Sequence, residues 1–368
     1  MDTRDSADQI VEMETTRRPI LARREVLRRA GIGASMLALC AAAPAAPVLA
    51  RGSAFGVVKS RPRVVLGVGG FPCEAPLYTA HYKGFFAAEG LDVELYAMPA
   101  TFNDIHALSS GTLGGEQGST FSLFPSIEQG AEIRLVGGLH GGCLRLVIGK
   151  HSGIRKVADF KGKAIGFPSP DAMLFYQLLL AENGVDAQHE VTWKMLDPSR
   201  LGAALDAGKV QAVASPDPFG YLLLQQGKAV QVGYNLTGLY GHTAGLAPNR
   251  YCCGVALSAK LVRDRPKVAA AVARAWLKGS RYVGRHTHEA SLIETSDKRV
   301  PLPRPTVEQI LNTLRWNPSA TRIAEDIRAT ARSLKKMGLL KPTTDPDKLA
   351  QRTYANVFQL AGEPVPTL

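Results

Sequence analysis

Regular apolar patterning begins at Val64-Val65-Leu66-Gly67-Val68, a β-branched run closed by Gly69-Gly70. A short apolar run bounded by glycines predicts a buried strand and a turn. The spacing then predicts a helix over residues 76–89, stopped by Gly90, and an alternating strand over 91–95. Residues 101–104 read as a capping box opening a helix that Gly111 ends. Another helix stops at Gly130, and a strand over 132–136 follows. One unit recurs at Gly90, Gly130, Gly208 and Gly227: a helix, a glycine, a polar step and a strand. Each glycine suits the left-handed cap that other residues resist. Further strands are predicted over 163–167, 210–214 and 229–232. Strands alternating with helices of this length predict an α/β fold, with parallel-rich sheets flanked by helices. From Arg265 the pattern turns to helix only, over a face beginning at Pro266 and then over 305–314, 320–337 and 348–360. This helical C-terminal extension is expected to wrap back on the first part of the fold.

The beginning of the chain reads differently. Met1 to Arg29 holds seven basic and six acidic side chains without apolar periodicity, and Ala30 to Ala50 is small, apolar and uncharged. That layout is the layout of a secretory signal. Arg23-Arg24-Glu25-Val26-Leu27 resembles a twin-arginine export signal, with Ala22 and Val26 departing from its usual residues. Residues 1–50 are therefore read as an export leader cleaved after Ala50. A retained membrane anchor and lipidation at Cys40 are the alternatives.

The rest exceeds the length at which one core stops growing, so two compact lobes are expected. The whole chain of 368 residues carries a formal net charge of +12. No Lys/Arg block interleaved with aromatics accompanies that excess, so nucleic acid is not an expected partner. Cys73, Cys143, Cys252 and Cys253 are too scattered for a disulfide scaffold, and no C-x-x-C pair predicts a metal site. No G-x-G-x-x-G follows the first strand, so no cofactor is expected.

In sheets of this kind, ligands sit at the carboxyl ends of strands, against helix N-termini. The loops so placed are Phe71-Pro72-Cys73-Glu74, Thr101-Phe102-Asn103, Gln117-Gly118-Ser119-Thr120, His140-Gly141-Gly142, Ser169-Pro170-Asp171 and Ser215-Pro216-Asp217-Pro218-Phe219. Thr101, Ser119, Thr120 and Ser169 would hold a ligand's oxygens with nearby N–H groups. Phe102, Asn103, Gly118, Gly141 and Asp171 share those loops. His140 and Asp217 would select among ligands, and Phe71 and Phe219 would cover them. Each Ser, Thr or Asp also has a plainer reading as a helix N-cap. No arginine lies in these loops; Arg145 is close but begins a strand.

Tyr78-x-Ala80-x-Tyr82-Lys83-Gly84-Phe85-Phe86-x-x-Glu89-Gly90-Leu91-Asp92-Val93-Glu94 resembles the first helix and second strand of the nitrate/sulfonate/taurine-type substrate-binding proteins of ABC transporters. Gly153-Ile154-x-x-Val157-x-Asp159-Phe160-Lys161-Gly162-Lys163-x-Ile165-Gly166 resembles their entry into the second lobe. Ala204-Leu205-x-x-Gly208-x-Val210-x-Ala212 and Asp217-Pro218-Phe219 are similar to later segments. The resemblance spans most of residues 64–285. Where the family usually has Gly-x-x-Asp, this chain reads Gly111-Thr112-Leu113-Gly114-Gly115-Glu116. The resemblance implies a two-lobed periplasmic-binding-protein fold of type II. Lobe one would comprise 62–144 plus 251–368 and lobe two 145–250, with crossing strands over 144–148 and 253–257. It implies a periplasmic, monomeric binding protein that captures a small polar or anionic solute and delivers it to permease subunits. A desulfinase on the same fold gives the alternative: Cys73 as nucleophile, with His106 or His140 as base.

Overall fold

A computed structural model describes residues 60–98, 103–170, 173–234, 236–239 and 250–367. The export-signal reading, with Arg23 and Arg24, lies outside the described residues, as do Thr101, Phe102 and Asp171. The chain first forms β1 (Arg63–Val68), α1 (Ala75–Tyr82), α2 (Phe85–Ala88), β2 (Asp92–Ala97), α3 (Ile105–Ser110), β3 (Gly115–Ser119), α4 (Thr120–Glu128) and β4 (Ile133–Gly141). Then come β5 (Leu144–Gly149), β6 (Ala164–Phe167), α5 (Met173–Ala181), β7 (Thr192–Met195), α6 (Leu201–Asp206), β8 (Ala212–Pro216), α7 (Phe219–Gln225), β9 (Ala229–Tyr234) and β10 (Gly238–Leu239). It closes with β11 (Cys253–Ser258), α8 (Ala259–Asp264), α9 (Pro266–Arg285), α10 (Thr287–Ser296), α11 (Arg304–Thr313), β12 (Arg315–Ser319), α12 (Arg322–Lys336), α13 (Pro346–Thr353) and α14 (Val357–Ala361).

These strands build two six-stranded sheets, ordered β12-β4-β11-β3-β1-β2 and β10-β9-β5-β8-β6-β7. Both are mixed rather than parallel-rich. β1 runs parallel to β2 and β3, and β6 runs parallel to β7 and β8. The other pairings are antiparallel: β11 with β3 and β4, β4 with β12, β5 with β8 and β9, and β9 with β10. The four repeated glycines take left-handed conformations, with φ of 73° at Gly90, 109° at Gly130, 67° at Gly208 and 65° at Gly227.

Three local predictions need correction. The helix expected over 76–89 breaks in two, because Gly84 takes φ 72° and the Gly84 N–H bonds the His81 carbonyl. The capping residue of α3 is Asp104, whose carboxylate accepts from the Ala107 N–H at 3.0 Å. The C-terminal extension is not helix alone. Arg315–Ser319 pairs with β4 at the outer edge of the first sheet, where Pro318 does not interrupt a second ladder.

The extension packs where the pattern places it. Of the apolar face expected on α9, Ala271, Val272, Ala275, Gly279 and Val283 are buried and Val268 and Tyr282 half-buried, and burial extends round the helix to Ala269, Ala273, Trp276 and Leu277. It crosses α1 closely: a Cβ at Gly279 would stand 2.3 Å from the Pro76 carbonyl oxygen, so only glycine fits there. The main apolar core runs from one sheet to the other, and Phe121 of α4 meets Phe175 of α5 edge-on with ring centroids 5.2 Å apart.

Candidate functional site

The turn after β1 is tied down by its own carboxylate. Glu74 accepts from the Gly69 N–H at 2.9 Å and from the Phe71 N–H at 2.9 Å. Burial pushes its carboxyl up to about 7 against those bonds. Gly70 allows the bend, since its φ is 81° and a Cβ would meet the Arg299 carbonyl oxygen at 2.3 Å. The turn sends Cys73 into the core and leaves Phe71 half-buried, edge-on to Phe219 with centroids 6.5 Å apart. Phe71 and Phe219 thus bring together the first sheet's loops and the start of α7.

Strand pairing aligns the next candidates. Ser119 on β3 is in register with Cys253 on β11, Cys253 with His140 on β4, and His140 with Trp316 on β12. One row across four strands therefore carries a hydroxyl, a thiol, an imidazole and an indole. The hydroxyl of Ser119 caps α4, accepting from the Phe121 N–H at 3.2 Å. The neighbouring Thr120 hydroxyl is buried and makes no hydrogen bond. At the end of β8 in the second sheet, the buried Ser215 hydroxyl also lacks a partner. Unpaired buried hydroxyls cost free energy unless something bonds them.

Other predicted residues serve the fold. The Asn103 amide donates to Glu116 Oε1 at 2.8 Å, and its oxygen accepts from Ser122 Oγ at 2.7 Å. Glu116 stands at the resemblance's one departure. Its Oε2 accepts from the Asp104 N–H at 3.0 Å, pinning the entry to α3, and burial raises its carboxyl to about 8. Gly118 faces inward, where a Cβ would lie 2.6 Å from Leu123 Cδ1. A Cβ at Gly141 would lie 2.7 Å from Leu236 Cδ2 and 2.9 Å from the Arg250 carbonyl oxygen. Ser169 is half-buried after β6.

Asp217 is not a free selector. It is fully buried and grips Arg145 twice, at 2.6 Å from Nε and 2.8 Å from Nη2. Arg145 also donates to Gln231 Oε1 at 2.7 Å and to Thr313 Oγ1 at 2.7 Å. The rings of Tyr234 and Tyr221 lie 4.6 and 5.3 Å from the guanidinium carbon. Burial opposes the Arg145 charge, yet the bonds to Asp217 outweigh it and hold the proton above the ordinary range. Four donor contacts on named partners leave little of this guanidinium for a ligand. Sequence reasoning set Arg145 aside because it begins a strand. Its signal was a lone charge in the fully buried run Leu144–Gly149; its partner Thr313 lies too far along the chain to be read.

Behind the row sits a thiol cluster. Cys143 Sγ is 2.7 Å from Cys252 Sγ and 3.8 Å from Cys253 Sγ. Gln117 Nε2 donates to the Cys73 carbonyl at 2.9 Å and lies 3.4 Å from its sulfur. Contact with Cys143, with burial adding to it, holds the Cys73 thiol well above its ordinary range. Burial lowers His140 to about 3, so its imidazole is neutral. A nucleophilic cysteine needs the opposite shift and some exposure. His106 is exposed on α3 while Cys73 is sealed. Cys73 is therefore not an activated nucleophile.

A family model described as NMT1/THI5 like matches residues 72–290, more than half the chain. The chain belongs to the NMT1/THI5-like family. That stretch coincides closely with the resemblance read over 64–285. No curated protein sequence matches the chain significantly. Among solved structures, the fold is shared with the alkanesulfonate-binding protein SsuA from Xanthomonas axonopodis bound to MOPS. The TM-score is 0.62 at 20% identity, covering 80% of this chain and 98% of that one. The periplasmic nitrate-binding protein NrtA from Synechocystis gives TM-score 0.63 at 15% identity, covering 83% of this chain and 91% of that one. The desulfurization enzyme DSZB is more distant, with TM-score 0.55 at 18% identity over 82% and 99%. This NMT1/THI5-like chain thus has the fold of substrate-binding proteins of ABC importers. No helix among its described residues is long and apolar enough to cross a membrane.

Proposed function

We propose that this protein is the extracytoplasmic substrate-binding component of an ABC importer, closing two lobes over a small polar or anionic solute. Lobe one is 62–144 plus 251–368 and lobe two is 145–250. The observation that carries the reading is the pair of buried hydroxyls without partners, Thr120 Oγ1 and Ser215 Oγ. Each stands at the carboxyl end of a sheet strand, one from each sheet, where this fold class binds ligands. Thr120 also opens a nine-residue helix, whose free N–H groups favour an oxyanion. With Arg145 already saturated, neutral donors would hold the anion, which suits a sulfonate or nitrate better than a phosphate carrying two charges.

A thermal-shift screen of small sulfonates, nitrate, amines and heterocycles is the first test. A true ligand at 100 times its dissociation constant adds about 2.7 kcal/mol of stability. By calorimetry on that ligand, Thr120→Val and Ser215→Ala should each weaken binding about tenfold, the worth of one hydrogen bond to a charged group. Ser169→Ala should weaken it as well. Unchanged affinity in all three sinks the assignment.

Delivery to a permease requires export, which the leader over residues 1–50 would provide by the twin-arginine route. Changing both Arg23 and Arg24 to lysine should leave the chain in the cytoplasm, as judged by fractionation. Continued export of that variant removes the twin-arginine reading.

A further inference from the structure

The geometry points to a buried zinc site formed by Cys73, His140, Cys143 and Cys253. One ligand atom from each, three sulfurs and a ring nitrogen, all lie within 4.8 Å of one another. All four residues are at 0% exposure. Three thiolates and an imidazole are the donor set of a closed, tetrahedral structural zinc site. Sulfurs sharing one tetrahedral zinc stand about 3.8 Å apart, given zinc–sulfur bonds near 2.3 Å. Cys143 and Cys253 are 3.8 Å apart already.

Two of the four ligands sit on paired strands and two in turns tied to the first sheet. Cys253 and His140 are cross-strand neighbours on β11 and β4, and the Cys252 N–H bonds the His140 carbonyl at 3.0 Å. Cys143 sits in the turn joining β4 to β5, and Cys73 is fixed by the Glu74-bound turn after β1. Two further atoms suit bound metal. His140 Nδ1 is buried and makes no hydrogen bond. Gln117 Nε2 lies 3.4 Å from Cys73 Sγ and 3.5 Å from His140 Nε2, where its amide hydrogens face a thiolate. Binding releases the three thiol protons to water and leaves the site with one net negative charge, which that amide helps to offset.

The competing chemistry is a Cys143–Cys252 disulfide, since those sulfurs are 2.7 Å apart. It would remove one ligand, and Cys252→Ser abolishes it. The test uses the full chain, reduced and stripped with a chelator. Titrated Co2+ should bind once per chain, give the near-ultraviolet charge-transfer band of cobalt thiolates, and be displaced by Zn2+. Competition against a chromophoric chelator then measures zinc affinity. Cys252→Ser should bind at least as tightly as the parent. Cys73→Ser and Cys253→Ser should each lose more than about 100-fold, beyond the 10–100-fold typical of groups one shell out. The cobalt spectrum is read on the unaltered chain, so a variant that misfolds leaves the test intact. Absence of the band in both the reduced parent and Cys252→Ser overturns the site. Zinc affinity that survives Cys73→Ser and Cys253→Ser also overturns it. Neither result touches the small-solute reading, which the thermal-shift screen decides separately.

Discussion

Arg145→Met is expected to cost about 3–5 kcal/mol in stability, because it strands the buried Asp217 carboxylate without its counter-charge. The pair is sealed, with side-chain exposures of 4% and 0%, so solvent cannot screen the loss. The same substitution removes the donors that reach Gln231 and Thr313. A double variant, Arg145→Met with Asp217→Leu, should regain most of the loss. A buried ion pair replaced whole by apolar groups is often neutral or better, whereas a broken one is not. Urea unfolding of the two singles and the double closes the cycle. Singles within 1 kcal/mol of the parent would show that the pair is solvated in solution. The double variant also separates clamp from ligand: if solute binding returns with stability, the pair acts by holding β5 against the turn between β8 and α7.

Stability should fall as pH rises from about 4.5 to 8. Burial raises Glu116 to about 8 and Glu74 to about 7, and it holds Glu294 well above its ordinary value. Neither oxygen of Glu294 has a hydrogen-bond partner. Within that window these three carboxyls keep protons that the unfolded chain has released, which outweighs His140, whose buried neutral ring lacks a proton that the unfolded ring holds below about 6.5. Fewer protons bound on unfolding makes the slope of stability with pH negative. At about 1.4 kcal/mol per pKa unit, Glu116 alone contributes a change on the order of 3–5 kcal/mol across the window. Below it, exposed carboxylates take over with the opposite sign. Hydrogen bonds hold Asp159, Asp186 and Asp197 below their ordinary values, so their contribution is lost under acid conditions. The urea midpoint should therefore be higher at pH 5.5 than at pH 8.5, and Glu116→Gln should flatten the difference. A midpoint that climbs between those two pH values contradicts the account.

The elements were legible wherever one local rule decided them. The glycines at 90, 130, 208 and 227 end helices in the left-handed conformation because nothing else does so without strain. The crossing strands over 144–148 and 253–257 show as apolar runs, and both form. β3 was not legible. Gly115–Ser119 contains no β-branched residue, yet it is buried throughout between β1 and β11, so tertiary packing overrides propensity. The same override hid β12 behind Pro318.

The site was legible as places and not as roles. Phe71 lies in the turn after β1 and Phe219 opens α7, whereas Ser119 and His140, expected in loops, lie within β3 and β4, and Thr120 opens α4. Asn103 and Asp217 turned out to be bonded internally, which no spacing reveals. The thiol cluster was missed because its ligands lie at 73, 140, 143 and 253; the local signal is His140-x-x-Cys143, and the rest depends on strand register. Glycine at 118 and 141 marked close packing rather than ligand approach.

β12 gives the first sheet a safe margin. Without Arg315–Ser319, the outer side of β4 would present its row of amide and carbonyl groups to any passing extended chain, including a second copy of this one. Pro318 sits in the strand that covers that row, and a proline there offers no N–H for further pairing. Five residues of β12 thus cover a sheet edge on which a second extended chain could otherwise pair.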